Sequence, residues 1–141
     1  MTTVPLPSPT PDELLVTNLI VCDDVEASAR FYTETLGGTL VRSGGPGPTV
    51  VKLANAWITL VTGGGPTPDK PAVTLAPPAE PDQVDSFLNL RVADIDTVYR
   101  EWTARGAHFI TEPKNNHGHE MRCYLRDPSG HLIEVGQALP S

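Results

Sequence analysis

The residues with the clearest capacity for metal chemistry lie close together near the carboxyl end of the sequence. His117, His119 and Glu120 alternate around a glycine in the run His-Gly-His-Glu. Imidazole and carboxylate groups at short spacing are typical ligands of divalent metals. Two histidines at i and i+2 lack helical spacing, however, and residues 114–118 are polar and turn-like. We therefore favour a surface loop before a strand over a metal site here.

Other familiar catalytic patterns are missing from the sequence. It contains no Gly-x-Ser-x-Gly, no Gly-x-Gly-x-x-Gly opening a helix and no Cys-x-x-Cys. Two cysteines, Cys22 and Cys123, are too few for a disulfide scaffold or a structural zinc site, and we expect both thiols to be buried and inert. The glycine-rich runs 44–47 and 63–65 carry no Lys-Ser/Thr pair, so we expect turns there and no phosphate-binding loop.

Composition and charge exclude several classes of protein. The 141 residues include 10 Lys and Arg against 17 Asp and Glu, a net charge of −7, which argues against nucleic acids and anionic membranes as partners. No apolar run approaches the roughly 20 residues that cross a bilayer, and residues 1–5 do not resemble a signal peptide. With 39% hydrophobic residues the chain can build a core. We therefore expect a cytoplasmic globular protein.

Prolines and glycines divide the chain into segments. Ten of the 15 prolines lie in two stretches, one at the N-terminus and one near the middle. Because proline fixes φ and cannot donate to a β-ladder, both stretches are predicted to be extended connections. The predicted organisation is a proline-rich arm (1–13), a first module (14–62), a Gly/Pro-rich linker (63–84), a second module (85–137) and a tail (138–141).

The two modules repeat one order of elements. Each opens with a predicted strand (15–22 or 87–92), followed by an aspartate N-cap (Asp24 or Asp94) and an amphipathic helix that ends at a glycine (Gly37 or Gly106). Three short strand candidates follow each helix: 39–42, 49–53 and 57–61, then 108–111, 120–125 and 131–135. The order is therefore strand, helix and three strands, written twice, and we expect the two sheets to share one core.

Two motifs accompany this duplication: DVEASARFY at 24–32, closed by Leu36-Gly37, and RDPSGHLIE at 126–134. Together with the duplicated order of elements, these motifs cover nearly the whole chain from Leu14 to Gln137. In these features the chain resembles the vicinal oxygen chelate superfamily of glyoxalases, bleomycin-resistance proteins and extradiol dioxygenases. The resemblance implies an α+β fold in which two βαβββ modules pair into a curved mixed sheet with a concave cavity. It does not choose a reaction, because this superfamily hosts several enzyme classes and proteins that only bind drugs.

The resemblance also implies where a metal would bind. Members with a metal typically take one ligand from the first strand and one from the last strand of each module. The corresponding positions here are Thr17, Thr59, Phe87 and Glu134. Only Glu134 ligates divalent ions well, so we predict no metal cofactor. The alternative is a divalent metal held by Glu134 with Glu120, His117 or His119.

Strand alternation extends these positions to a predicted cavity lining. The predicted ligand-binding residues are Thr17, Leu19, Trp57, Thr59, Phe87, Asn89 and Glu120. The resemblance places Tyr124 in the cavity, with Arg122 on the same face, and these two with Glu134 are the candidate catalytic residues. Aromatic walls with a few convergent polar groups are typical of a small-molecule site. Two other interpretations stay open: Glu134 could be a solvated residue or a partner of Arg122, and the aromatic residues could belong to the core.

Three functions are compatible with these residues. The first is a metal-free protein of the bleomycin-resistance type that binds a small organic molecule. The second is a metal-dependent lyase, isomerase or dioxygenase with unorthodox ligands. The third is metal-free acid/base catalysis by Glu134, helped by Tyr124 or Arg122. A homodimer is expected, because members of the superfamily usually build their cavities at a subunit interface.

Overall fold

The structure is a computed structural model that describes Leu6 and residues 8–140. It divides into two compact units, Met1–Pro77 and Pro78–Ser141, and each is described by itself. The division falls inside the segment predicted as a linker. Of the predicted N-terminal arm, Pro5 and Pro7 lie outside the described residues.

The first unit is a four-stranded mixed sheet with one helix. Its elements are β1 (Asn18–Cys22), α1 (Val25–Arg30), β2 (Thr39–Arg42), β3 (Thr49–Leu53) and β4 (Ala56–Thr62). The strand order is β1-β4-β3-β2, with β1 parallel to β4 and the other neighbours antiparallel. Asp24 begins the helix by accepting a hydrogen bond from the Ala27 N–H at 3.1 Å. The helix continues as a π-helical segment, Phe31–Thr35, which the sequence pattern did not predict.

The core of the first unit lies between its sheet and its helix. Tyr32 is fully buried there, as are Ile58 and Leu60 of β4 and Val51 of β3. The chain turns into β2 at Gly38, where a Cβ would lie 2.7 Å from a methyl carbon of Val51. Only glycine allows this close approach, so the turn fixes the helix against the sheet.

The second unit repeats this arrangement. Its elements are β5 (Leu88–Arg91), α2 (Ile95–Ala104), β6 (Lys114–Asn116), β7 (Glu120–Arg126) and β8 (Leu132–Ala138). The strand order is β5-β8-β7-β6, with β5 parallel to β8. Asp94 caps α2 by accepting a hydrogen bond from the Thr97 N–H at 3.1 Å, and Gly106 follows the helix at φ 102°. The predicted α+β class with two βαβββ modules is confirmed.

One predicted strand of the second unit is wrong. Residues 108–111 form only an isolated bridge, between Phe109 and Leu125, and the strand at this place in the order is β6. Positive φ angles at His117 (54°) and Gly118 (78°) create a tight turn that folds β6 back on β7. The connecting loop is three residues long, and it forms a strand from residues that the polar pattern assigned to a loop.

The two cysteines are buried, as predicted. Burial raises the pKa of the Cys123 thiol to about 11, with a smaller contribution from the negative charge of Asp96. This thiol therefore stays protonated at neutral pH and is a poor nucleophile. In the described part of the chain, no helix is both long and apolar enough to cross a membrane.

Candidate functional site

Three of the predicted site residues lie side by side on one face of the second sheet. Asn89 of β5 and Tyr124 of β7 are both in register with Glu134 of β8, so the three side chains project from the same face. The Asn89 amide donates a hydrogen bond to Glu134 Oε2 at 2.7 Å. We call Asn89, Glu134 and Tyr124 the polar row.

The turn between β7 and β8 sets the register of this row. Asp127 is only 4% exposed, and its Oδ1 accepts hydrogen bonds from the N–H groups of Ser129 and His131, both at 2.9 Å. Gly130 occupies the turn at φ 93°, a conformation that favours glycine. The Asp-Pro-Ser-Gly motif thus holds the strands in the alignment that places Tyr124 opposite Glu134.

Glu134 is a buried carboxylate that has no ion-pair partner among the residues that the structure describes. It is 6% exposed, and within the part of the chain that the structure describes no Lys, Arg or His side chain lies within 4.0 Å of its oxygens. The Asn89 amide is its one hydrogen-bond donor among those residues. Neither interpretation of Glu134 as a solvated residue or as a partner of Arg122 fits this geometry. A buried carboxylate with so little compensation is strongly disposed to accept further hydrogen bonds or a positive charge.

The Tyr124 ring connects the polar row to aromatic and cationic neighbours. Its centroid is 6.3 Å from that of Phe87 in an edge-to-face arrangement, and the Arg122 guanidinium carbon lies 5.8 Å from the ring centroid. Burial raises the pKa of the Tyr124 phenol above its usual value, and the negative charge of Glu134 adds to the effect. The phenol therefore keeps its proton at neutral pH and can donate a hydrogen bond.

Two arginines share one carboxylate beside the polar row. Glu120 lies 3.0 Å from Arg91 and 3.8 Å from Arg122, measured between charged atoms. The Arg91 side chain passes over β8 at Gly136, where a Cβ would lie 2.1 Å from Arg91 Nη1. Arg91 is a site residue that the sequence analysis missed. Two signals could have found it: its alternation with Asn89 on β5, and the glycine directly after the predicted strand 131–135, because a glycine next to a strand can mark a close approach.

Replacing Gly136 with alanine is expected to displace the Arg91 guanidinium and break its ion pair with Glu120. In the wild-type chain the change should cost about 1 kcal/mol, because the added methyl overlaps the arginine and an ion pair is lost. In an Arg91→Ala background the same change should stabilise the protein by about 0.5 kcal/mol, because alanine is favoured over glycine inside a strand. Urea unfolding of the four variants measures both effects. If Gly136→Ala changed the free energy of unfolding equally in wild type and in Arg91→Ala, this role for Gly136 would be wrong.

The predicted residues of the first unit share a face of its own sheet. Leu19 of β1 and Val50 of β3 are both in register with Thr59 of β4. Trp57, also on β4, pairs with Lys52, whose Nζ lies 4.5 Å from the indole centroid. The remaining predicted residue, Thr17, is exposed and precedes β1, whereas Glu120 and Phe87 belong to the second unit.

Comparison with known proteins decides the family. A model of the Glyoxalase/Bleomycin resistance protein/Dioxygenase superfamily matches residues 14–135. The chain belongs to this superfamily. The resemblance inferred from the two motifs and the duplicated order is therefore confirmed, while comparison with curated proteins finds no significant match.

Several solved structures share the fold of this chain. A glyoxalase/bleomycin resistance protein/dioxygenase from Nocardioides is 26% identical with a TM-score of 0.72, over 94% of this chain and 88% of that chain. TnmS3, an antibiotic binding protein from Streptomyces sp. CB03234, is 24% identical with a TM-score of 0.61, over 89% and 97%. A variant of the fosfomycin resistance protein FosX from Listeria monocytogenes, complexed with Mn(II), is 15% identical with a TM-score of 0.62, over 86% of each chain.

Among the described residues, the candidate ligands for a divalent metal are not arranged as a metal site. Across residues 8–140 no three His, Cys, Asp or Glu side chains come together as a metal site. The alternative ligand Glu120 lies four residues along β7 from Tyr124, about 13 Å at the usual rise per residue, and it is already paired with two arginines. His117 and His119 are exposed at the hairpin turn. Neither the predicted positions nor the alternative set provides a coordination sphere.

Proposed function

We propose that the protein binds a small organic molecule at the polar row, without a metal, and that Glu134 binds a cationic group of that ligand. The observation that carries this proposal is the buried Glu134 carboxylate, which lacks an ion-pair partner among the described residues. A charge removed from water in this way gains strongly from an opposite charge brought by a ligand.

The surroundings of Glu134 support a ligand that is at least partly aromatic or apolar. The rings of Phe87 and Tyr124 lie on the same face of the sheet, and aromatic faces attract cations as well as apolar groups. Asn89 and the protonated Tyr124 phenol add directional hydrogen-bonding groups. A net charge of −7 also favours the approach of cations over anions.

The relatives support a binding role without specifying the ligand. TnmS3, which shares the fold, is described as an antibiotic binding protein. The fosfomycin resistance protein carries Mn(II) in its structure, whereas the described residues of the present chain include no group of three His, Cys, Asp or Glu side chains that could hold a metal. The proposal therefore rests on the residues of this chain rather than on the chemistry of any one relative.

Calorimetric titration of the full, chelator-treated chain tests the proposal. The probes are a 4-alkylbenzylamine, which is cationic, and the 4-alkylbenzyl alcohol of the same shape, which is neutral. We expect the amine to bind at least 10-fold more tightly, because the ammonium group brings a full opposite charge to the carboxylate, whereas the alcohol brings only a neutral hydrogen-bond donor. Added Mn²⁺ or Zn²⁺ should leave the affinity unchanged. Binding that requires added metal, or equal affinity for amine and alcohol, would contradict the proposal.

Acid/base catalysis at the same residues is a second candidate. It is favoured by the register that sets the Glu134 carboxylate beside the protonated Tyr124 phenol, because a proton acceptor and a proton donor then face one ligand. Mass spectrometry of ligand recovered after incubation distinguishes the two candidates. Unchanged ligand supports binding alone, and a product that disappears in Glu134→Gln supports catalysis.

A further inference from the structure

A cleft of about 410 Å³ opens in the second unit beside the polar row. Its lining is largely apolar and includes Pro81, Val84, Phe87, Ile110, Tyr124 and Leu132. Tyr124 belongs to both the cleft and the polar row, and its ring contacts Phe87. The cleft is therefore continuous with the proposed binding site of Glu134.

Hydrogen bonds fix one wall of the cleft, the segment that precedes β5. The Arg126 guanidinium lies 2.7 Å from Asp82 Oδ1 and donates hydrogen bonds to the carbonyl oxygens of Pro81 and Gly130. One side chain therefore ties this segment to the turn between β7 and β8. This wall is formed by residues at the end of the predicted linker, 63–84.

The opposite wall is fixed by the backbone of Ile110. Its N–H donates a hydrogen bond to the carbonyl oxygen of Tyr124 at 2.8 Å, which places the Ile110 side chain at the rim. With both walls attached to β7 or its turn, the cleft is formed before any ligand arrives. A preformed cavity loses little conformational entropy on binding.

Apolar side chains line this cleft yet remain open to water. Val84, Phe87 and Ile110 are 37%, 41% and 55% exposed. Covering such side chains with apolar atoms removes apolar surface from water and is therefore favourable. Clustered exposed apolar residues of this kind mark a binding groove more often than a chance feature of the surface.

We propose that this cleft takes the apolar part of the ligand whose cationic group binds Glu134. The ligand class is then an amphipathic cation, with an alkyl or aryl substituent joined to an ammonium group. The inference rests on the proposed function for the position of the cation. The cleft volume lies within the range of about 300–1,000 Å³ typical of small-molecule pockets.

The test uses a series of 4-alkylbenzylamines with methyl to butyl substituents, titrated into the chelator-treated full chain. Each added methylene is expected to raise the affinity about fourfold while it enters the cleft. The variant Ile110→Gln should abolish this gain. Leu40→Gln, at an apolar residue of the first unit that is 47% exposed, is the matched control and should preserve it. The methyl NMR signals of Ile110 and Val84 should shift on titration, and those of Leu40 should not.

The outcomes separate this inference from the function on which it rests. If the affinity depends on Glu134 but changes neither with alkyl length nor in Ile110→Gln, the role of the cleft is wrong and the proposed function stands. If the affinity rises with alkyl length but is unchanged in Glu134→Gln, the proposed function is wrong and the cleft is an apolar binding site. Absence of binding by every amine up to its solubility limit overturns both.

Discussion

Replacing Glu134 with glutamine is expected to weaken the binding of a cationic ligand by about 10- to 100-fold. The change keeps the shape of the side chain and an oxygen that can accept the hydrogen bond from Asn89, but it removes the negative charge. A hydrogen bond to a charged group contributes about 1.5–3 kcal/mol, which corresponds to this loss of affinity. Calorimetric titration of the 4-alkylbenzylamines into wild type and variant measures it.

Two controls make the result for Glu134 specific. The neutral alcohols should lose much less affinity than the amines in Glu134→Gln, since they bring no charge to the site. The variant Glu34→Gln removes an exposed carboxylate of the first unit and should leave amine binding unchanged. If Glu34→Gln weakened binding as much as Glu134→Gln, the effect would come from net charge and the site would be wrong.

Replacing Asp127 with alanine is expected to destabilise the protein by about 3–5 kcal/mol. The buried carboxylate accepts hydrogen bonds from the N–H groups of Ser129 and His131, and alanine leaves both donors without this acceptor. Each hydrogen bond to a charged group contributes about 1.5–3 kcal/mol, so the loss is a large part of the stability of a typical domain. Urea unfolding followed by circular dichroism gives the free energy of unfolding.

The conservative variant Asp127→Asn separates hydrogen bonding from charge. Asparagine retains a side-chain oxygen that can accept from the same two N–H groups, so we expect it to lose no more than about 1.5 kcal/mol. Hydrogen exchange at the Ser129 and His131 amides should accelerate in Asp127→Ala and change little in Asp127→Asn. An alanine variant as stable as wild type would show that the turn does not depend on this carboxylate.

Much of the fold could be predicted because its signals are local. Aspartate caps, glycine stops and alternating apolar residues act over a few positions, and they placed both helices and strands such as β2 and β3. The same alternation placed Asn89 and Tyr124 on one face with Glu134, since side chains repeat every two residues in a strand. Strand β6 was missed because a tight turn at His117 and Gly118, rather than an apolar pattern, creates it.

The finer features of the site could not be predicted, because they join residues that are distant in sequence. The hydrogen bond between Asn89 and Glu134 spans 45 residues, and the ion pair between Arg126 and Asp82 spans 44. Neither contact leaves a local pattern in the sequence. The prolines around residue 80 predict a connecting segment, but they do not indicate whether side chains fix that segment in place. The cleft therefore emerged only from the three-dimensional arrangement.

The two tryptophans allow the unfolding of the two units to be followed separately by fluorescence. Each unit contains one of the two tryptophans, Trp57 in β4 and Trp102 in α2. The first lies half-buried beneath the ammonium group of Lys52, whereas the second is packed into an apolar interior. Each unit therefore contains one intrinsic fluorophore, and the surroundings of the two indoles differ. Single Trp→Phe variants would report separately whether the halves melt together or one after the other.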